Sequence, residues 1–240
     1  MPLEMLSLKR KPDLQAVILG GGKGTRLRPI TYKIPKVMVK IKGKPFLLYL
    51  LRLLKKKGIS KVLLLAGYLG EQIEEYFGDG RRFGLDITYS YDSLLGTGGA
   101  LKKAAGLIEA DFFLLNGDTY LDFDYQGLKD KFNSLGCKGL LCVYTNKKRK
   151  IEPNILLGKD NLIVKYDKGS SDGLKEVAAG VGIFKKEVLR LIPKDTFISL
   201  EDEIYKKLIQ QKELYGLAID RNFLDIGDFT RLELARNLLR

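Results

Sequence analysis

The sequence predicts an α/β fold: a mixed, mostly parallel sheet flanked by helices in a single domain. Two observations carry this. Through the first 150 residues short apolar runs alternate with stretches of helical periodicity, the pattern of parallel strands joined by crossover helices. The first apolar run, Gln15 to Leu19, passes directly into a turn with four glycines, as a buried parallel strand does. After residue 150 the rhythm changes, so the domain is expected to have two halves, about 14–150 and about 151–240.

In chain order, the polar and basic stretch Met1–Asp13 lacks the apolar centre of a secretory signal and is expected to be a short flexible arm. Strands are expected at 14–19, 61–66, 86–91, 111–116 and 138–144, and helices at 45–57, 70–77, 97–108 and 126–134. The first helix follows Gly43-Lys44-Pro45, with proline near its first turn. Its Leu47, Leu48, Leu50, Leu51 and Leu54 give one broad apolar stripe. The third helix carries Ala104, Ala105 and Ile108 on one side. Residues 155–157 and 161–166 read as a hairpin across Gly158-Lys159-Asp160-Asn161, followed by a strand at 177–184. A helix over about 199–211 has Ser199 as N-cap, with Asp202 an imperfect capping-box partner. Strands near 214–219 and 222–225 and a helix from about 228 complete the chain.

Composition narrows the chemistry. The 240 residues are 45% hydrophobic, enough for a sizeable core. No stretch approaches the roughly 18 continuous apolar residues of a membrane span, so a cytoplasmic protein with no membrane partner is expected. Cys137 and Cys142 lack metal-type spacing and read as buried free thiols. There is no histidine, so catalysis must rest on lysine, arginine, carboxylates and metal. The net charge of +13 favours anionic partners. The lysines are scattered, as at Lys55–Lys57, Lys147–Lys150 and Lys206–Lys207, with no aromatic-interleaved basic stretch. A solvated surface is expected there, and no nucleic-acid partner.

Residues 19–36 read Leu-Gly-Gly-Gly-Lys-Gly-Thr-Arg-Leu-Arg-Pro-Ile-Thr-Tyr-Lys-Ile-Pro-Lys. Gly20, Gly21, Gly22 and Gly24 let the backbone turn sharply and bring N–H groups to an anion. Arg26 and Lys36 add fixed positive charge, which together suits a nucleoside triphosphate. No Gly-Lys-Ser/Thr closes the loop, so it is not a Walker loop, and Thr25 stands where a dinucleotide fingerprint needs its third glycine. Farther on, Asn116-Gly117-Asp118 ends the apolar strand Phe112–Leu115, where open α/β sheets place ligands. A second strand-end carboxylate is Asp225, in Phe223-Leu224-Asp225-Ile226-Gly227. Either aspartate alone is an ordinary turn residue. Near a triphosphate they suit Mg²⁺, which takes one or two carboxylates plus phosphate oxygens and water.

The segment from Gly21 to Lys36 resembles the signature of the sugar-1-phosphate nucleotidyltransferases (NDP-sugar pyrophosphorylases), G-G-x-G-T-R-L-x-P-x-T-x-x-x-P-K, at every fixed position. The resemblance covers roughly residues 14–238 and implies the Rossmann-like nucleotide-diphospho-sugar transferase fold. It implies a nucleotide-binding first half, with Leu19, Gly21, Gly22, Gly24 and Thr25 around the nucleotide, and a sugar-phosphate-binding second half. Leu95-Gly96-Thr97-Gly98-Gly99 is similar to the family's nucleobase turn, through Gly96 and Thr97, and Thr97 also suits a helix N-cap. Asp92 and Leu94 stand where members commonly carry Glu and Pro. Asp167-Lys168 resembles the pair that binds sugar hydroxyls and sugar phosphate, with Asp in place of Glu. Ala179-Gly180 resembles a strand on which the sugar ring lies, although Ala178 replaces its Asn and Glu152-Pro153-Asn154 replaces a Tyr/Phe-Gly pair. Glu201 resembles an acidic helix start, either touching sugar or complementing the helix dipole.

The resemblance implies Mg²⁺ held by Asp118 and Asp225, and in-line attack of a sugar 1-phosphate on the α-phosphorus of an NTP. Arg26 would brace the leaving pyrophosphate, Lys36 would sit on the α- or leaving phosphates, and Lys168 on the attacking phosphate. Among members, the chain is most similar to the short guanylyltransferases acting on D-glycero-α-D-manno-heptose 1-phosphate, which would use GTP. Mannose-1-phosphate guanylyltransferases and N-acetylmuramate-1-phosphate uridylyltransferases are the alternatives. Non-catalytic nucleotide-sugar-binding subunits share the fold but tend to lose the loop Arg, the Lys or the metal Asp, all retained here. A dimer or tetramer is usual in the family, and no patch in the sequence marks an interface.

Overall fold

The computed structural model describes residues 14–92, 95–147 and 151–239. The expectations for the N-terminal arm, for Leu94 and for Lys148–Lys150 fall outside them. The elements in order are β1 (Gln15–Leu19), β2 (Lys40–Ile41), β3 (Lys44–Pro45), α1 (Phe46–Lys56), β4 (Lys61–Ala66), α2 (Glu71–Phe77), β5 (Asp86–Tyr91) and α3 (Gly96–Lys103). Next come β6 (Phe112–Asn116), β7 (Thr119–Tyr120), α4 (Tyr125–Leu135), β8 (Gly139–Tyr144), β9 (Ile155–Leu157), β10 (Ile163–Tyr166) and β11 (Val177–Phe184). The last are α5 (Tyr205–Gln210), β12 (Leu214–Ile219), β13 (Leu224–Asp225) and α6 (Phe229–Leu238).

Seven strands form the central sheet in the order β12-β8-β11-β6-β1-β4-β5. β1 lies parallel to both β4 and β6, β4 parallel to β5, and β8 parallel to β12. β11 alone runs antiparallel, between β6 and β8. The order turns at β1, since β4 and β5 extend to one side and β6 to the other. That reversal opens a crevice at the carboxyl ends of β1 and β6.

Alternating side chains of the buried strands feed two cores. Ala16, Ile18, Val62 and Leu64 face the layer holding α1, α2 and α4. Val17, Leu63 and Leu65 face the layer of α3 and α5. Strands covered on both faces need continuous apolar residues, and β1 from Ala16 and β4 from Val62 have them.

α1 departs from the expected single stripe: Phe46, Tyr49 and Leu53 are buried as well as the five leucines. The helix lies between the sheet and a third core, where Phe46 and Tyr49 meet Ile226, Leu232 and Ala235 from the chain's end. The third helix stops at Lys103 and tightens into a 3-10 turn over Ala104–Leu107. The helix expected from 199 begins as a π-turn, Leu200–Ile204, before α5. Short ladders β2–β3 and β7–β13 were not foreseen, being two residues a strand. Both cysteines are buried free thiols.

Candidate active site

The glycine loop is set by close backbone packing. Gly20 N–H donates to the Leu65 carbonyl at 2.9 Å, and the Gly21 carbonyl accepts from Tyr68 N–H at 3.1 Å. A Cβ on Gly21 would stand 3.0 Å from the backbone nitrogen of Gly67, so the loop and the end of β4 touch main chain to main chain. Gly24 has φ +60°, and a Cβ there would meet Thr31 Cγ2 at 2.9 Å and Lys36 Cβ at 3.0 Å. The buried Thr31 hydroxyl donates to the Gly24 carbonyl at 2.8 Å. Three 3-10 turns, Thr25–Leu27, Ile30–Tyr32 and Lys36–Met38, fold the rest of the signature back on the loop. Residues twelve apart in sequence thus form one packed unit.

This unit walls a cleft of about 630 Å³ at the sheet reversal. Leu19, Gly21, Gly22, Gly24, Thr25, Arg26, Lys36 and Asp118 line it, together with Gly96, Thr97 and Glu201. The Lys36 ammonium donates to the Asp118 carboxylate. Asp118 reaches this place because Gly117 N–H bonds the Leu19 carbonyl at 2.9 Å, and a Cβ on Gly117 would lie 2.8 Å from that same oxygen.

The second predicted metal residue sits beside the first but outside the cleft lining. Asp225 pairs in register with Thr119, and Ile226 N–H donates to the Asp118 carbonyl at 3.1 Å. Gly227, next to it, does line the cleft. Asp225 Oδ1 accepts from Gly227 N–H at 2.7 Å, and both its oxygens accept from Arg231 at 3.1 Å. Asp228 caps α6 by accepting from Arg231 N–H at 2.9 Å. Burial opposes the Arg231 charge, but the Asp225, Asp228 and Asp118 carboxylates together outweigh it and hold the guanidinium above its ordinary range. Two all-oxygen carboxylates on adjoining strands fit a hard cation that takes its remaining ligands from phosphate and water. Among the described residues no group of three or more His, Cys, Asp or Glu could hold a metal by itself.

The far wall is held by side chains. Thr97 does not cap its own helix, whose N-cap position is Leu95 without a side-chain bond. Its hydroxyl instead donates to Glu201 Oε2 at 2.9 Å and accepts from Leu200 N–H at 2.9 Å. The glycines around it also serve packing: Gly96 has φ +75°, and a Cβ there would sit 2.5 Å from the Ile198 carbonyl. Glu201, 12% exposed, pairs with Lys168 at 2.8 Å, which is 50% exposed. Glu201 and Asn116 also line a smaller cavity with Gly180, Tyr166 and Tyr205. Burial raises both tyrosine hydroxyls well above the phenol range, and the Glu201 charge adds to the rise.

Gly180 sits at φ +70°, inside an irregularity of the β11–β8 register, where a Cβ would meet Thr119 Oγ1 at 2.9 Å. Asp167 lines neither cavity. Its exposed carboxylate accepts from Gly169 N–H at 2.9 Å, which holds it below the usual aspartate range. Asn154, one of the departures from the family pattern, accepts from Ala178 N–H at 2.8 Å and so braces the strand where another departure lies.

Sequence reasoning gave no site role to Asp92, Phe197 or Arg231. Asp92 lines the cleft and accepts from Leu95 N–H at 3.0 Å. Phe197 lines it while 68% exposed. Arg231 holds Asp225. Only Asp92 carried a signal, as the acid ahead of the glycine turn.

A glycine loop and two strand-end carboxylates at the reversal of a mostly parallel sheet define a nucleotide-handling α/β protein. Comparison with known proteins makes this specific. Residues 15–239 match the family described as Nucleotidyl transferase, and the chain belongs to that family. It is 35% identical over 217 residues to D-glycero-alpha-D-manno-heptose 1-phosphate guanylyltransferase of Aneurinibacillus thermoaerophilus, covering 89% of this chain and 93% of that one. It is 31% identical over 239 residues to UTP--glucose-1-phosphate uridylyltransferase of Synechocystis sp., covering 89% of this chain and 60% of that longer one. The crystal structure of HddC from Yersinia pseudotuberculosis superposes with TM-score 0.80 at 28% identity, over 95% of this chain and all of that one. The same protein complexed with GMP-PN gives 0.77, with the same identity and coverage.

Proposed function

We propose that this protein is a Mg²⁺-dependent sugar-1-phosphate guanylyltransferase that joins GTP and D-glycero-α-D-manno-heptose 1-phosphate into the GDP-sugar with release of pyrophosphate. The observation that carries the reaction class is the meeting of Arg26, Lys36 and Asp118 around a glycine cradle, opposite the Lys168–Glu201 pair. The choice of guanine and heptose is supported by the Aneurinibacillus relative and by the HddC structure with GMP-PN.

In this reading the loop N–H groups and Arg26 hold the β- and γ-phosphates. Lys36 turns from Asp118 to the α-phosphate. Lys168 places the sugar phosphate, whose oxygen attacks the α-phosphorus in line. The bond from that phosphorus to the bridging oxygen breaks, and pyrophosphate leaves with the electron pair. The nucleophile is already an anion at neutral pH, so no general base is required and the lack of histidine is no obstacle. The chain's work is to bring two polyanions together and neutralise their charge. Mg²⁺, held by Asp118 and Asp225, would supply Lewis-acid stabilisation of the phosphate charge.

Pyrophosphate release should be measured with Mg²⁺ across GTP, UTP, CTP, ATP and dTTP, each with heptose, mannose, glucose and N-acetylmuramate 1-phosphates. Release should be largest with GTP and the heptose phosphate. The Synechocystis relative favours a second reading, uridylyl transfer, and dominance of UTP with glucose 1-phosphate would establish it instead. Nucleotide binding without release in any pair would move the protein to the non-catalytic class.

A further inference from the structure

Each aspartate of the carboxylate pair already has a cation of its own. Lys36 occupies Asp118, and Arg231 grips Asp225 through both carboxylate oxygens. The ionic groups gathered about the pair include Lys36, Arg26 and Arg231 against Asp118, Asp225 and Asp228. Arg26 belongs to this set because a Cβ on Gly227 would lie 3.6 Å from its guanidinium and 3.3 Å from that of Arg231. Three positive charges face three negative ones. The N-terminus of α6, capped by Asp228, adds a further positive partial charge on this side. A free dication therefore meets no net negative field and must displace two salt bridges. A triphosphate changes both conditions, because it brings several negative charges and competes for Lys36 and Arg26.

We propose that Arg231 is a positioning residue which, with Lys36, keeps the Asp118–Asp225 pair closed to free divalent metal, so that the metal binds only together with the nucleoside triphosphate. The inference rests on the reading of these two aspartates as metal ligands. Arg231 contributes twice. Its Nη1 holds both oxygens of Asp225 while its Nε faces Asp228 Oδ2 at 3.4 Å, a fork across two carboxylates that fixes the orientation of Asp225, and its charge cancels that of the carboxylate until the polyanion arrives. It lies three residues past the N-cap of α6, on a helix whose Leu232 and Ala235 are anchored in the third core, so its position is set by packing.

The test is Mn²⁺ titration of the nucleotide-free protein, reading unbound Mn²⁺ by electron paramagnetic resonance. Wild type should bind Mn²⁺ weakly. Arg231→Gln and Lys36→Gln should each bind it on the order of tenfold more tightly, since each frees one carboxylate. Arg231→Lys, which keeps the charge and loses the fork, should stay near wild type in Mn²⁺ affinity while losing turnover at unchanged KM. Thermal denaturation identifies any variant that fails to fold, and Lys36→Gln carries the test if Arg231→Gln is lost. Wild type binding nucleotide-free Mn²⁺ as tightly as both glutamine variants would overturn the proposal and leave the metal reading standing. If Asp118→Asn added to Arg231→Gln left the tightened binding unchanged, the metal reading itself would fail.

Discussion

The cleft has two walls, and they hold their functional groups by different means. The wall of residues 19–38 is fixed by close approach of the backbone: Gly21 lies main chain to main chain against Gly67 and Gly117 against Leu19, and Gly24 lies against the Thr31 and Lys36 side chains. The opposite wall is a relay of side chains from Thr97 to Glu201 to Lys168, with half of Lys168 in solvent. The first wall matches the family signature at every fixed position, while Asp167, Ala178 and Asn154, outside the cleft lining, depart from the pattern that the family resemblance implies. Contacts that depend on backbone approach leave no room for substitution. A relay of side chains can be rebuilt around a different sugar. Under the proposed function, chemistry falls to the first wall and substrate choice to the second.

The largest effects should come from the first wall. Arg26→Ala and Asp118→Asn should each lower turnover by on the order of 10²–10³ or more, the scale for removing one charge-stabilising group. Circular dichroism and melting temperature should stay close to wild type, because both side chains line a cleft and neither packs a core. Near-normal turnover in either variant would break the assignment of chemistry to this wall. Gly24→Ala probes the same wall through the backbone. It forces a left-handed φ on alanine and pushes a methyl group into Thr31 and Lys36. The expected cost is about 2 kcal/mol, read as a drop of roughly 4–8 °C in Tm, with turnover reduced as Lys36 shifts.

The walls also differed in how well the sequence revealed them. The central strands were legible because buried parallel strands need continuous apolar runs, as in Val17–Leu19 and Val62–Ala66. The backbone wall was legible because glycines at close approaches leave fixed marks in a sequence, as at Gly21 and Gly24. Side-chain contacts between distant segments leave no such mark. Nothing near Thr97 announces that its hydroxyl serves Leu200 and Glu201 and not its own helix. Arg231 looked like a surface residue of an ordinary helix until the β7–β13 ladder placed Asp225 beside it. The burial of α1 on nearly all sides was hidden for the same reason, since Phe46 and Tyr49 wait for a core made by residues almost two hundred positions later.

Glu201→Gln tests the second wall directly. The variant keeps an oxygen to accept from Thr97 but removes the charge that holds Lys168. KM for the sugar phosphate should rise by about tenfold, the worth of one charge-assisted bond, while KM for the nucleotide moves much less. An equal rise in both would mean that Glu201 serves the two substrates alike and that the walls do not divide the work.

The smallest expected effect gives the finest resolution. Ser199 accepts from Asp202 N–H at 3.1 Å and caps the π-turn that carries Glu201. Ser199→Ala should cost about 1 kcal/mol, as loss of an N-cap does, and lower Tm by roughly 2–4 °C. Ser199 lines neither cavity, but its hydroxyl also lies 3.4 Å from Glu201 Oε2, so a kinetic change comes through the turn and that contact together. A looser turn lets Glu201 and Lys168 drift together, which should raise KM for the sugar phosphate a few-fold and leave the nucleotide KM where it was. If the nucleotide KM rose instead, the disturbance would have travelled through the Thr97 hydroxyl to the glycine turn. The relay would then belong to the nucleotide side, and substrate choice would have to be sought in the smaller cavity around Gly180 and Tyr205.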